Sequence, residues 1–225
     1  MLIDHWPLAG LRLRTPRLEL RLPDDEELAR LAELAAEGVH PPEEMPFLVP
    51  WTDRPPHEQR LATIQHHWAA RSSLAPGGWS LNLVVFEDGE LVGTQTLAAR
   101  DFPVLRETSS GSWLGLPYQG RGIGTEMRAA VLELAFAGLG AEHSVSGAIE
   151  GNAASLRVSA KLGYVDDGIA RLVVRGRPVK ERRLRLTRER WLARRRVPVE
   201  IEGLEPCRAL LGAAGPKAAS GSDAG

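Results

Sequence analysis

The sequence predicts an α/β (α+β) domain whose helices flank a central, twisted sheet of mixed but mostly antiparallel strands. Three observations carry that expectation. Asp88-Gly89 stands between two stretches of strand-forming residues and is the strongest short hairpin signal in the chain. Glycines recur at every second position, Gly120, Gly122 and Gly124, between a short strand and a helix that starts at once. A second unit, from Asn152 to Tyr164, combines an N-cap asparagine, a helical register and a glycine stop at Gly163.

Leu18 to Leu22 (LELRL) alternates apolar and polar residues and reads as a first strand, approached through RLRTPR. Asp24 then caps a helix, because Glu27 stands three residues later as its capping-box partner. Leu28, Leu31, Ala32 and Ala35 share a face of that helix, and Gly38 ends it. Pro41 to Pro56 is too rich in proline for any regular element and reads as a structured loop. His57 to Ser72 reads as a second helix with Leu61, Ile64 and Trp68 on one face. Trp79 to Glu87 and Leu91 to Ala98 form the hairpin, and Gly111 to Leu114 is their partner, so three antiparallel strands precede the glycine loop.

Beyond the loop, Met127, Ala130, Val131, Leu134 and Ala135 recur at i, i+3, i+4, i+7 and i+8, one face of an amphipathic helix. His143 to Ile149 reads as a strand, Asn152 to Leu162 as a helix and Tyr164 onward as a strand. A turn at Arg175-Gly176-Arg177-Pro178 leads to a closing strand, Lys180 to Leu186, and to a basic helix, Arg188 to Arg196. The expected domain spans residues 1–196. Residues 197–210, where VPVEIEG alternates, read as an arm packed on the domain or on an oligomer interface. Residues 211–225 have little to bury and read as a disordered tail.

Composition narrows the classes. At 225 residues the chain is long enough to bury a proper core, and its formal charge of −1 offers no electrostatic reason to expect a nucleic-acid or membrane partner. The longest apolar stretch, near Val131 to Ala141, is interrupted by Glu133 and falls short of the ~20 residues of a membrane span. The N-terminus has no basic region followed by an apolar one, so a cytoplasmic location is expected. One cysteine, Cys207, excludes an intramolecular disulfide and a cysteine-based zinc site; no metal is expected.

A glycine loop that runs into a helix start has a physical use. The first turn of a helix carries unpaired N–H groups and the positive end of the dipole, and glycines let an anion approach the backbone. Gln119 to Thr125 therefore reads as a phosphate cradle. A nucleotide P-loop requires lysine after its glycines, but Gly124 is followed by Thr125 and Glu126. A dinucleotide fingerprint requires glycine where Thr125 stands; Glu142 does lie about 20 residues on, so that reading is weakened and stays open.

The pattern the loop does fit is Q-x-x-G-x-G, realised as Gln119-Gly120-Arg121-Gly122-Ile123-Gly124. It resembles the pyrophosphate loop of the GNAT superfamily of CoA-dependent N-acyltransferases, and its extension YQGRGIGTEM is similar to the branch containing the ribosomal-protein N-terminal acetyltransferases RimJ and RimL. Asn152-Ala153-Ala154-Ser155 followed by Lys161-Leu162-Gly163-Tyr164 resembles the second GNAT signature, beside the CoA arm. The likeness covers Thr15 to Arg196. At HWPLAGLRLRTPRLEL, MPFLVPWT, DFPV with GSWLG, and EGLEPCRALLG it is similar to an actinobacterial group with a mycobacterial member described as a succinyl-CoA transferase. The resemblance implies the GNAT fold, acetyl-CoA or succinyl-CoA as co-substrate, and the primary amine of a small molecule or protein N-terminus as acceptor. A homo-oligomer, a dimer or larger, is also expected.

Acyl transfer from a thioester needs a neutral amine, a polarised carbonyl and a protonated leaving thiolate. The resemblance implies a backbone N–H donor where two strands splay, which maps to Trp113-Leu114-Gly115; the Trp113 side chain itself reads as core. Gln119, Gly120, Arg121, Gly122, Ile123, Gly124 and Thr125 would hold the pyrophosphate, with Arg121 either adding charge or simply standing exposed. Asn152 would face the pantetheine while capping its helix. Many relatives carry a tyrosine acid seven residues after this asparagine, where Ser159 stands here. The RimL-like branch instead uses the serine three residues after it, here Ser155, which also fits a plain first-turn role. Glu107 and Glu150 are candidate general bases, against the ordinary reading of solvated glutamates. His57, His66, His67 and His143 read as surface histidines. Phe47 and Trp51 would shape the acceptor pocket or merely pack their loop. Two other functions stay open: an acyl-CoA sensor without turnover, and a dinucleotide-dependent oxidoreductase, which would need a parallel sheet from its start.

Overall fold

The computed structural model describes residues 1–213, so the expected tail from 214 onward lies outside them. In chain order the helices and strands are α1 Leu2–His5, β1 Arg12–Arg14, β2 Leu18–Arg21, α2 Asp25–Glu37, α3 Pro56–Ser72, β3 Gly78–Glu87, β4 Glu90–Arg100, α4 Phe102–Leu105 and β5 Glu107–Leu114. There follow α5 Ile123–Glu133, β6 His143–Ile149, α6 Ala153–Leu162, β7 Val165–Val174, β8 Arg177–Thr187, α7 Arg188–Arg194 and β9 Glu200–Glu202.

The nine strands make one sheet in the order β7-β8-β6-β5-β4-β3-β2-β1-β9. Every neighbouring pair is antiparallel except β5 and β6. The hairpin turn forms where expected, with Asp88 and Gly89 both at positive φ (51° and 83°), the conformation whose twist matches two antiparallel strands. This β3–β4–β5 meander ahead of the glycine loop removes the dinucleotide reading, which required parallel strands from the start.

β3 is buried on both faces, and its alternation sorts the core into two layers. Leu81, Leu83 and Val85 face Met127, Ala130 and Val131 of α5. Val84 and Phe86 face Leu28, Leu31 and Leu34 of α2. α2 begins as predicted: Asp24 accepts from the Glu27 N–H at 2.8 Å, and the Glu27 carboxylate accepts from the Asp24 N–H at 3.0 Å.

Several expectations need correction. The approach segment RLRTPR holds a strand of its own, β1, whose other edge pairs with β9 from the C-terminal arm. Burial also runs past the expected start of the tail, since Leu211 and Ala213 are buried and the Trp79 indole donates to the Leu211 carbonyl at 3.0 Å. α3 is rolled away from the predicted face: Leu61 and Trp68 stay 55% and 49% exposed while Thr63 and His67 are buried. The inward stripe tolerates a polar residue because Thr63 Oγ1 donates to the Gln59 carbonyl at 2.8 Å. His67 is thus no surface histidine, and burial pushes its pKa down to about 3.

Candidate functional site

The site begins where two strands part company. β5 and β6 pair only at Glu107 with His143, Thr108 with Ser144, and Ser109 with Val145. Beyond that point β5 continues against β4 to Leu114, and β6 continues against β8 to Ile149. Each is held by its outer neighbour, so from Ser110 and Ser146 onward their facing backbone edges open into a wedge. Of the predicted donor segment Trp113-Leu114-Gly115, the Gly115 N–H is taken by the Val92 carbonyl of β4 at 3.1 Å and by alternation the Trp113 N–H also faces β4, so Leu114 is the residue that turns its N–H to the opened edge.

The glycine loop closes the mouth of this wedge. Leu116–Tyr118 makes one 3-10 turn, and the Gln119 amide then donates to the Val39 and Leu114 carbonyls at 2.8 and 2.9 Å. Gln119 is therefore a clamp that ties the loop to β5 and to the end of α2, and its side chain does not point to an anion. Gly120 and Gly122 take φ of +76° and +85°, and Gly122 caps α5 without any side chain. The Thr125 and Glu126 N–H groups bond to the Gly122 carbonyl at 3.0 and 3.2 Å, which leaves Ile123 and Gly124 as the first-turn N–H groups of α5 without an intrahelical acceptor.

Charge around the loop is organised by two carboxylates. Glu126 accepts from Thr15 Oγ1 at 2.7 Å and from Arg17 Nε and Nη2 at 2.8 and 2.6 Å, an arrangement that raises the Arg17 pKa. Glu87, 8% exposed, sits between Arg17 at 3.3 Å and Arg121 at 2.7 Å. Arg121 is thus neither free nor buried: it is an ion-pair partner at the rim. Beside Thr125 a cavity of about 660 Å³ carries Lys161, Arg194 and Arg196 on its walls.

α6 forms the second wall. Asn152 Oδ1 accepts from the Ser155 N–H at 3.0 Å, the predicted cap, while its Nδ2 donates to the Pro46 carbonyl at 3.4 Å. The asparagine thereby ties the Pro41–Pro56 loop to α6. Ser155 is half-buried in the first turn, and among the described residues its hydroxyl has no hydrogen-bond partner. Ser159 is 1% exposed and accepts from Arg128 Nη1 at 3.0 Å.

On the opposite face of the sheet an aromatic row runs from the loop to the wedge: His40 to Phe47 at 5.7 Å, Phe47 to Trp51 at 5.3 Å, and Trp51 to Trp113 at 5.9 Å between centroids. Trp113 therefore carries the loop aromatics onto β5, and its half-buried side chain packs, as expected, against the core layer beneath α2. Arg175, at the β7–β8 turn, donates through Nε to Asp53 at 2.8 Å and fastens the far end of the loop.

The two predicted bases fare differently. Glu107 lies at the closed end of the wedge, paired with Arg185 at 2.5 Å, so it is removed from the opened edge. Glu150 is exposed beyond β6, 3.7 Å from Lys180. Sequence reasoning missed Glu181: its carboxylate covers the Gly147 backbone at the point where a Cβ would overlap it. By strand alternation Gly147 shares the sheet face of Trp113. The only sequence signal was a glycine inside a strand. Among the described residues no cluster of three or more potential metal-binding side chains occurs.

Residues 17–165 match the family model described as acetyltransferase (GNAT) domain. A GCN5-related N-acetyltransferase from Brucella melitensis is 21% identical over 82% of this chain and 81% of its own, with a TM-score of 0.65. Mycobacterium smegmatis RimJ in complex with CoA-disulfide is 23% identical over 85% of this chain and 97% of its own, with a TM-score of 0.61. The ribosomal-protein-S5-alanine acetyltransferase from Vibrio fischeri is 17% identical over 80% and 98%, with a TM-score of 0.58. At these identities the likeness is one of fold.

Proposed function

The chain belongs to the GNAT acetyltransferase family, and from that premise we propose that it moves an acetyl or succinyl group from acyl-CoA to a primary amine. The amine belongs to a small molecule or a protein N-terminus and attacks directly within a ternary complex. The observation that carries this reading is the parting of β5 and β6 beside the glycine loop. It joins an anion cradle to an unpaired strand edge, which is what a long cofactor with a pyrophosphate at one end and a thioester at the other requires.

Gly120 and Gly122 clear the approach to the α5 N-terminus, whose dipole and free N–H groups favour a pyrophosphate by up to about 2 kcal/mol. Lys161, Arg194 and Arg196, around the neighbouring cavity, suit a 3′-phosphate. At the opened edge Leu114 offers its backbone N–H to the thioester carbonyl, where negative charge grows as the amine adds. Phe47, Trp51 and Trp113 form an apolar floor for the acceptor. Glu181, on that same face, receives the amine's surplus proton, and the unengaged Ser155 hydroxyl supplies one to the thiolate.

A thermal-shift panel of CoA, acetyl-CoA and succinyl-CoA tests this, because a ligand at 100 times its Kd adds about 2.7 kcal/mol to the folded state. Thiol release with an amine panel then separates a transferase from a sensor. Absence of stabilisation by any of the three would remove the proposal.

A further inference from the structure

One buried charge has no part in the steps above. Arg128, in the second turn of α5, is 5% exposed, and no carboxylate among the described residues pairs with it. Its Nη1 donates to Ser159 Oγ at 3.0 Å and its Nη2 to Ser112 Oγ at 3.4 Å, while its buried Nε has no partner. A lone cation taken out of water is costly, and buried charges are normally paired. Burial pushes this guanidinium's pKa down, yet an arginine remains protonated at any pH the fold survives.

The surroundings are those of an anion site. Ser112 belongs to the part of β5 that has left β6, and Ser159 belongs to α6, so the guanidinium bridges the wall of the wedge. From the second residue after α6 the Tyr164 phenol faces it, bonded to Ser144 Oγ of β6 at 3.0 Å. That phenol is the one titratable neighbour acting on the guanidinium, and burial pushes its pKa up, so it stays neutral. Six residues separate Gly122 from Arg128, about 9 Å of helix rise, which sets the cation inward of the phosphate cradle along the direction a pantetheine arm would take.

We infer that Arg128 is the fixed counter-charge for the departing CoA thiolate. The inference rests on the acyl-CoA reading above. The amine lone pair forms the C–N bond, and the adduct then collapses with the C–S electron pair passing to sulfur. The amine's surplus proton goes to Glu181 or water. Negative charge grows on the departing sulfur facing the guanidinium while the Ser155 hydroxyl passes its proton to it, and solvent reprotonates Ser155. A permanent cation stabilises that growing charge in the bond-breaking step.

The test uses free CoA bound to wild type, Arg128→Met and Arg128→Lys. The bound thiol is titrated by the ultraviolet absorbance of its thiolate, with desulfo-CoA as the blank. The expected thiol pKa on wild type lies at least about one unit, tenfold in acidity, below that of free CoA. It should stay depressed in Arg128→Lys and return toward the free value in Arg128→Met. Desulfo-CoA should bind all three alike, and the Met variant should melt no lower than wild type, since it removes a buried unpaired charge. A wild-type thiol pKa equal to that of free CoA overturns the inference and leaves the acyl-CoA reading intact. Retention of the depressed pKa in Arg128→Met also overturns it, assigning the effect to the α5 dipole. Failure of wild type to bind CoA overturns both.

Discussion

Replacement of Gly122 separates strain in the loop from loss of the anion cradle. The residue holds φ of +85° at the cap of α5, and a Cβ added there would meet only Arg17 Nη2, at 3.6 Å, an ordinary contact. The cost of Gly122→Ala is therefore conformational, about 1–2 kcal/mol for a non-glycine residue in the left-handed region. For a domain of this size that is a fall in Tm of about 2–8 °C, which leaves the protein folded. Gly120→Ala, at +76° with nothing within 4 Å, carries the same strain and is the control. Gly122→Glu adds a carboxylate at a helix N-terminus, worth about 0.3–1 kcal/mol of compensation, so it should melt no lower than the alanine variant. That carboxylate takes the anion's place. Melting curves with saturating CoA should rise by about 5–11 °C for wild type, from about 2.7 kcal/mol at 100 times Kd, and should not move for Gly122→Glu. A wild-type shift in the glutamate variant would refute the cradle.

Ser155→Ala should change stability by less than about 0.5 kcal/mol and slow single-turnover acyl transfer by roughly 10²–10⁴-fold; a normal rate would return that hydroxyl to a plain first-turn role. Ser159→Ala takes the acceptor from a buried guanidinium and should cost about 1–3 kcal/mol in denaturant melts; an unchanged midpoint would deny the Arg128 contact its weight. Burial holds the His67 imidazole at about 3 against about 6.5 in the unfolded chain, so only the unfolded state takes up a proton between those values. Its contribution to stability is full above about pH 6.5 and is lost as pH falls toward 3, by up to about 1.4 kcal/mol per unit. Urea melts at about pH 7 and pH 5 should accordingly differ less in His67→Gln than in wild type, and equal differences would contradict the burial. Arg175→Ala breaks an exposed pair and should cost under about 1 kcal/mol, yet raise the amine KM with the CoA Kd unchanged; a shift in Kd alone would place the Asp53 fastening on the wrong substrate.

The sequence by itself determined whatever is encoded within a few residues. The Asp24–Glu27 capping box, the Asn152 cap, the Gly163 stop and the Asp88-Gly89 turn all formed where spacing placed them, because each is satisfied by backbone groups close along the chain. The apolar stripe was legible for the same reason: its five positions are all buried, Met127, Ala130 and Val131 in α5 and Leu134 and Ala135 in the π-helical turn that continues it. What only the tertiary structure decided depends on pairings between distant segments. β5 and β6 part because β8, which begins 28 residues after β6 ends, returns to claim its far edge, and no local pattern in either strand records that competition. The roll of α3 was equally hidden, since Leu61, Ile64 and Trp68 mark a stripe without saying whether a partner covers it. No motif or spacing in the sequence singles out Arg128 or Glu181. Their placement follows from burial and from a missing Cβ at Gly147, which arise only when α6 and β8 close over residues far away in the chain.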